Sequence, residues 1–125
     1  MSSKKNFKVL VVDDDADILE LLQYNLSKEG YEVKVADNGK KAIEIAKDFV
    51  PSLILLDVMM PQMDGVETCR QLRENPLFAG TYILFLTARS EEYTEIAAFE
   101  VGADDYITKP IKPRALMSRI SALFR

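Results

Sequence analysis

Short runs of apolar residues alternate with longer amphipathic stretches along the chain. Val9-Leu10-Val11-Val12, Tyr31 to Val35, Leu53-Ile54-Leu55-Leu56, Ile83-Leu84-Phe85-Leu86 and Tyr106-Ile107 read as five strands. Three of these are continuous apolar runs, which suits a parallel sheet covered on both faces. Between them the period becomes helical. Ile18, Leu22 and Leu26 recur every four residues, with Gly30 placed to end the helix. Ala42, Ile43, Ala46 and Phe49 form a second stripe, stopped by Pro51. Asp64 and Glu67 have capping-box spacing at the head of a third helix ending near Asn75-Pro76. Ser90 is placed to cap a fourth helix running to Gly102, and Pro113 to open a fifth. Five strand-helix pairs in strict alternation predict an open, doubly wound α/β sandwich with right-handed crossovers, too few for a barrel.

The residues that end the strands carry the chemistry. The first strand runs into Asp13-Asp14-Asp15, the third into Asp57 and the fourth into Thr87, while Lys109 follows the fifth. In a parallel sheet all strand C-termini share one edge, and ligands bind there where the strand order reverses. This topology would gather residues 13, 14, 57, 87 and 109 into one crevice. Clustered carboxylates repel and raise one another's pKa unless a cation intervenes. An oxygen-only set without His or Cys is what Mg²⁺ takes. A carboxylate nucleophile, a hard dication, a lysine and a threonine together suit phosphoryl chemistry. Asp15 and Asp17 read as ordinary helix-start residues. Capping explains Asp57 poorly, because the next strong helix signal is Asp64.

Composition narrows the classes. The 125 residues include no histidine and one cysteine, Cys69. Ser-His-Asp and Cys-His nucleophile pairs, His metal ligands and a phosphohistidine carrier are therefore excluded. Sixteen Lys plus Arg against 20 Asp plus Glu give a net charge of −4, which argues against nucleic-acid binding by this segment itself. The charge is uneven: Lys109 to Arg125 holds five cations and no anion, read as a solvated basic face. No apolar run approaches the ~18 residues of a membrane span, and the run after the basic N-terminus is too short for a signal peptide. A cytoplasmic protein without membrane contact is expected.

With these residues placed, the sequence closely resembles the receiver domain of two-component response regulators. The resemblance covers about Lys8 to Arg125. It rests on Val12-Asp13-Asp14, the run from Leu55 through Asp57 to Asp64-Gly65, Leu86-Thr87-Ala88, and the run from Gly102 through Asp104-Asp105-Tyr106 to Lys109-Pro110. It implies one receiver domain over residues 1–125, with the flavodoxin-like strand order 2-1-3-4-5 and helices on both faces. It implies that Asp57 is the phosphoacceptor, that Asp13, Asp14, Asp57 and the Met59 backbone carbonyl hold Mg²⁺, and that Lys109-Pro110 is a cis peptide. Thr87 and Lys109 would engage the phosphoryl group, and Tyr106 would be the switching aromatic beside Thr87. The donor would be a sensor histidine kinase, which supplies the histidine this chain lacks. Such a domain is a phosphoacceptor rather than an enzyme, although it assists its own phosphotransfer and slow dephosphorylation. Met59 and Arg89 stand where the family tunes the lifetime of the phosphorylated form, and a long lifetime is expected.

Arg89-Ser90-Glu91-Glu92 and Gly102 to Tyr106 look most like the OmpR/PhoB group of transcriptional regulators. That group dimerises through its fourth helix, fifth strand and fifth helix, and Asp105 and Arg119 match one of its interchain ion pairs. Ala97 and Ala115 depart from a second pair, so a monomer or another dimer geometry stands beside this one. Three rivals compete with the phosphoacceptor. A Mg²⁺-dependent phosphatase needs an acid-base Asp two residues after its nucleophile, where this chain has Met59. A flavodoxin-like cofactor binder lacks its Gly-rich loop, and Asp13-Asp14-Asp15 would repel a phosphate there. A degenerate receiver would be a phosphorylation-independent interaction module, against which the intact site residues stand. The end at Ala122 to Arg125 falls where a longer regulator would begin its linker, so an excised receiver is expected over a stand-alone one.

Overall fold

A computed structural model describes residues 7–88 and 100–125. Five parallel strands form a single sheet in the order β2-β1-β3-β4-β5: β1 (Lys8–Val12), β2 (Glu32–Ala36), β3 (Leu53–Asp57), β4 (Tyr82–Thr87) and β5 (Asp105–Thr108). The described helices are α1 (Ala16–Lys28), α2 (Gly39–Phe49), α3 (Gly65–Arg73) and α4 (Pro113–Leu123), with a 3₁₀ turn at Pro76–Phe78. The expected strand order holds. The helix expected from Ser90 to Gly102 lies outside the described residues up to position 99, as do Arg89 and Ala97. No helix among the described residues is long and apolar enough to cross a membrane.

The three apolar runs sit in the central strands because both faces of those strands are covered. Leu10, Val12, Ile54, Leu56, Ile83 and Phe85 point into one core with Ala42, Ala46, Cys69 and Leu72 of α2 and α3. Val9, Val11, Leu53, Leu55, Leu84 and Leu86 point into the other with Leu22 and Leu26 of α1 and Leu116 and Ile120 of α4. Alternate residues thus serve opposite layers, and polar residues in the central strands are confined to their ends. The edge strand β2 keeps an exposed-inward alternation, with Glu32 and Lys34 facing solvent.

Helix ends follow the local chemistry. Asp15 caps α1 by accepting from the Asp17 N–H, and Asp64 caps α3 by accepting from the Glu67 N–H. Gly30, at φ 100°, closes α1: its N–H donates to Ser27 O at 3.0 Å and the Tyr31 N–H to Leu26 O at 3.2 Å. This closing turn consumes Tyr31, so β2 begins one residue later than its apolar pattern indicates. At the end of α2 the left-handed cap is Val50, at φ 44°. A β-branched residue is strained there by ~1–2 kcal/mol. Val50→Asn is expected to raise stability by about 1 kcal/mol, roughly 4 °C in Tm. Thermal unfolding checks this, and an unchanged or lower midpoint would contradict it.

Candidate functional site

Strand order reverses at β1, whose neighbours are β2 and β3. The crevice at this switch point is built from the residues that leave β1 and end β3. Asp13 follows Val12 and is fully buried, held by its N–H donating to Ala36 O at 3.2 Å. Its Oδ1 accepts from the Asp15 N–H at 2.9 Å, which fixes the carboxylate against the first turn of α1. Asp57 ends β3 and is also buried, whereas Asp14 faces solvent. One carboxylate oxygen from each of Asp13, Asp14 and Asp57 lies within 4.8 Å of the others.

Lys109 enters from the far side of the sheet. Its backbone N–H donates to Thr87 O at 2.6 Å, and the Lys109-Pro110 peptide is cis. The Nζ ammonium then donates to Asp13 Oδ2 at 3.0 Å and to Asp57 Oδ1 at 3.3 Å. Thr87, buried at the end of β4, stands beside this crossing.

The electrostatics are unbalanced. Burial, reinforced by the neighbouring Asp13 charge, raises the Asp57 pKa to about 6; the charge and hydrogen bond of Lys109 offset only part of this. Burial works against the Lys109 ammonium, yet the hydrogen bond to Asp13 and the charges of Asp57 and Asp13 together hold its pKa above the usual lysine value. One ammonium does not neutralise three carboxylates. The donor set is oxygen-only, and it fits a hard divalent cation better than a second lysine or a soft metal.

The remaining expected residues fall elsewhere. Tyr106 is half-buried on β5, paired in register with Phe85, and packs on the core shared with α2 and α3 rather than among the carboxylates. The Met59 side chain is 75% exposed, so any part it plays at the site falls to its backbone. Asp105 and Arg119 form an ion pair within this chain, across the face between β5 and α4. A cavity of about 390 Å³ opens on that face, with Ala115 and Arg119 on its wall.

Two residues that matter here carry no chemical signature in sequence. Gly65 opens α3 directly beneath the end of β3: a Cβ there would stand 2.1 Å from Asp57 O, and the Gly65 N–H donates to Val58 O at 2.8 Å. Its sequence signals are its place beside the capping Asp64 and at the end of the Leu55 to Gly65 run, and neither announces this close approach. Arg73, at the other end of α3, reads as one surface cation among many. It is instead mostly covered and donates to two backbone carbonyls and to Asp104.

Fold and crevice together define a doubly wound α/β protein with an acidic, lysine-crossed pocket at its switch point. The family model of the response regulator receiver domain matches residues 9–121, and the chain belongs to that family. Two Bacillus subtilis proteins are similar to it and place the resemblance among regulators of the OmpR/PhoB type. The alkaline phosphatase synthesis transcriptional regulatory protein PhoP is 48% identical over 120 residues, 96% of this chain and 49% of its own length. The transcriptional regulatory protein ResD is 46% identical over 125 residues, covering 100% of this chain and 51% of its own. The chain thus spans about half the length of these relatives. Among solved structures, the Vibrio cholerae chemotaxis protein CheY4 superposes with a TM-score of 0.89 at 32% identity, covering 93% of this chain and 97% of that one.

Proposed function

We propose that residues 1–125 form one receiver domain, and that Asp57 accepts a phosphoryl group from the phosphohistidine of a sensor histidine kinase. The observation that carries this reading is the Lys109 ammonium spanning Asp13 and Asp57 at the switch point. An Asp57 carboxylate oxygen attacks phosphorus, the bond from phosphorus to the donor imidazole nitrogen breaks, and the electron pair leaves with the imidazole. Asp13, Asp14, Asp57 and the Met59 carbonyl would hold Mg²⁺. Bound there, the ion supplies positive charge against the phosphoryl oxygens and screens the carboxylates from one another.

Lys109 already points at the acceptor oxygen, so it is placed to pair with the phosphoryl group once Asp57 carries it as an acyl phosphate. The Thr87 hydroxyl donates to a phosphoryl oxygen, and Tyr106, two positions before Thr108, the β5 partner of Thr87, reports that movement to the face of β5 and α4. Phosphorylation replaces the single charge of the Asp57 carboxylate with the roughly −1.5 to −2 charges of an acyl phosphate, beside the Lys109 ammonium. The product is an altered protein rather than a released compound, so the domain is a phosphoacceptor and not a turnover enzyme. The likeness to transcriptional regulatory proteins supports a cytoplasmic role in transcription control, exerted outside this domain. A homodimer through the expected fourth helix, β5 and the helix expected fifth, here α4, would require Asp105 and Arg119 to exchange their present partnership for one between copies.

Incubation with acetyl phosphate and Mg²⁺, followed by intact-mass measurement, tests the acceptor. One phosphoryl increment is expected, and none in Asp57→Asn. An unmodified wild-type protein, or an increment that survives the substitution, overturns the assignment.

A further inference from the structure

α3 touches the acceptor at one end and the entry to β5 at the other. Its first residue, Gly65, is in van der Waals contact with the Asp57 carbonyl region and hydrogen-bonded to Val58. From its last residue, Arg73 sends three donors to different elements. Nε donates to Gly102 O at 2.8 Å, Nη1 to Phe78 O at 2.7 Å and Nη2 to Asp104 Oδ2 at 2.9 Å. The same Asp104 oxygen accepts from the Ile83 N–H at 2.8 Å, which ties the clamp to the first half of β4. Cys69 Sγ adds a contact to Val101 O at 3.5 Å. Gly102, at φ 91°, leaves room for this: a Cβ there would stand 3.0 Å from Arg73 Cγ. β5, which carries Tyr106 and leads to Lys109, starts at the residue after Asp104.

We propose that Arg73 is a positioning residue that joins α3 to β5, giving the acceptor a second mechanical route to the Tyr106 strand beside the one through Thr87. The claim rests on the phosphoacceptor reading of Asp57. A nine-residue helix spans ~13 Å as a rigid rod. Its buried face, Cys69 and Leu72, packs in a close-fitting core that shifts as a body rather than deforming gradually. Movement imposed at Gly65 by the acceptor loop therefore arrives at Arg73, whose planar fork fixes direction as well as distance. Asp104 binds at Ile83, four residues along β4 from Thr87 and so roughly 13 Å away. A change at Asp104 caused by the acceptor thus travels through the protein.

The test uses ¹⁵N-labelled protein with Mg²⁺ and beryllofluoride, a phosphoryl mimic whose bound form gives its own ¹⁹F signal. In Thr87→Ala the mimic is expected still to shift the Gly102 and Asp104 amide resonances. Adding Arg73→Ala should cut those shifts by more than about half, a coupling that a merely structural loss does not produce in a difference between bound and free states. Arg73→Lys, which keeps the charge and loses the fork, gives the same readout where the alanine variant does not fold. The proposal is overturned if the mimic binds while Thr87→Ala alone abolishes the shifts, or if the Arg73 variants leave them unchanged. Absence of a bound ¹⁹F signal in the wild type would instead overturn the phosphoacceptor reading, and the coupling with it.

Discussion

Gly65→Ala is expected to destabilise the protein by about 2 kcal/mol and to slow phosphoryl incorporation by roughly tenfold or more. The new Cβ would meet backbone and nothing softer: Asp57 O at 2.1 Å, Asp57 C at 2.9 Å and Val58 Cα at 2.9 Å. Either α3 retreats and its hydrogen bond to Val58 O is lost, or the end of β3 is displaced. The overpacking cost of ~1–3 kcal/mol and the broken hydrogen bond of ~0.5–1.5 kcal/mol exceed the ~1 kcal/mol helix-propensity gain of alanine over glycine. For a chain of this size that is a fall of roughly 8 °C in Tm. Gly80→Ala is the control, because a Cβ there meets nothing within 4 Å. Thermal unfolding and the rate of labelling by acetyl phosphate, measured on both variants, decide the matter. Equal behaviour of the two would mean that the close approach at Gly65 has no consequence.

That residue also marks the boundary of what the sequence makes legible. Asp13, Asp57 and Lys109 could be brought together from the sequence because apolar runs of parallel strands end on one edge whatever the details of packing. Thr87 follows by the same rule. The capping Asp15 and Asp64 were readable because a side-chain oxygen two or three residues before an unpaired N–H is a local event. Gly65 and Arg73 act through space instead. Nothing within a few residues of Gly65 says that a carbonyl from β3 will lie against it. Nothing near Arg73 says that Gly102, Phe78 and Asp104 will converge on its guanidinium, across as many as 31 residues. Asp105 and Arg119 show the converse limit: their chemistry predicts a partnership, but residue type alone does not say whether the partner belongs to the same chain. The structure pairs them within it.

Asp57→Asn is expected to make the metal-free protein more stable while abolishing its phosphorylation. The folded protein raises the Asp57 pKa from 3.8 to about 6, so ionising this carboxylate opposes folding. The sign follows directly: the group's favourable contribution is full below about 3.8 and is lost as pH rises through about 6. Relative to the asparagine variant, the wild type in chelator should lose stability progressively between those values and hold a constant deficit above them. At 1.36 kcal/mol per pH unit the limiting deficit is of order 3 kcal/mol. Mg²⁺ should reverse the order, because a dication among the three carboxylates favours the ionised form that burial penalises. Urea unfolding of both proteins from pH 4 to pH 8, with chelator and with Mg²⁺, measures every term. A difference between them that ignores pH, or a chelated wild type more stable than the variant at pH 7.5, would show that burial and the neighbouring Asp13 charge do not penalise the ionised Asp57.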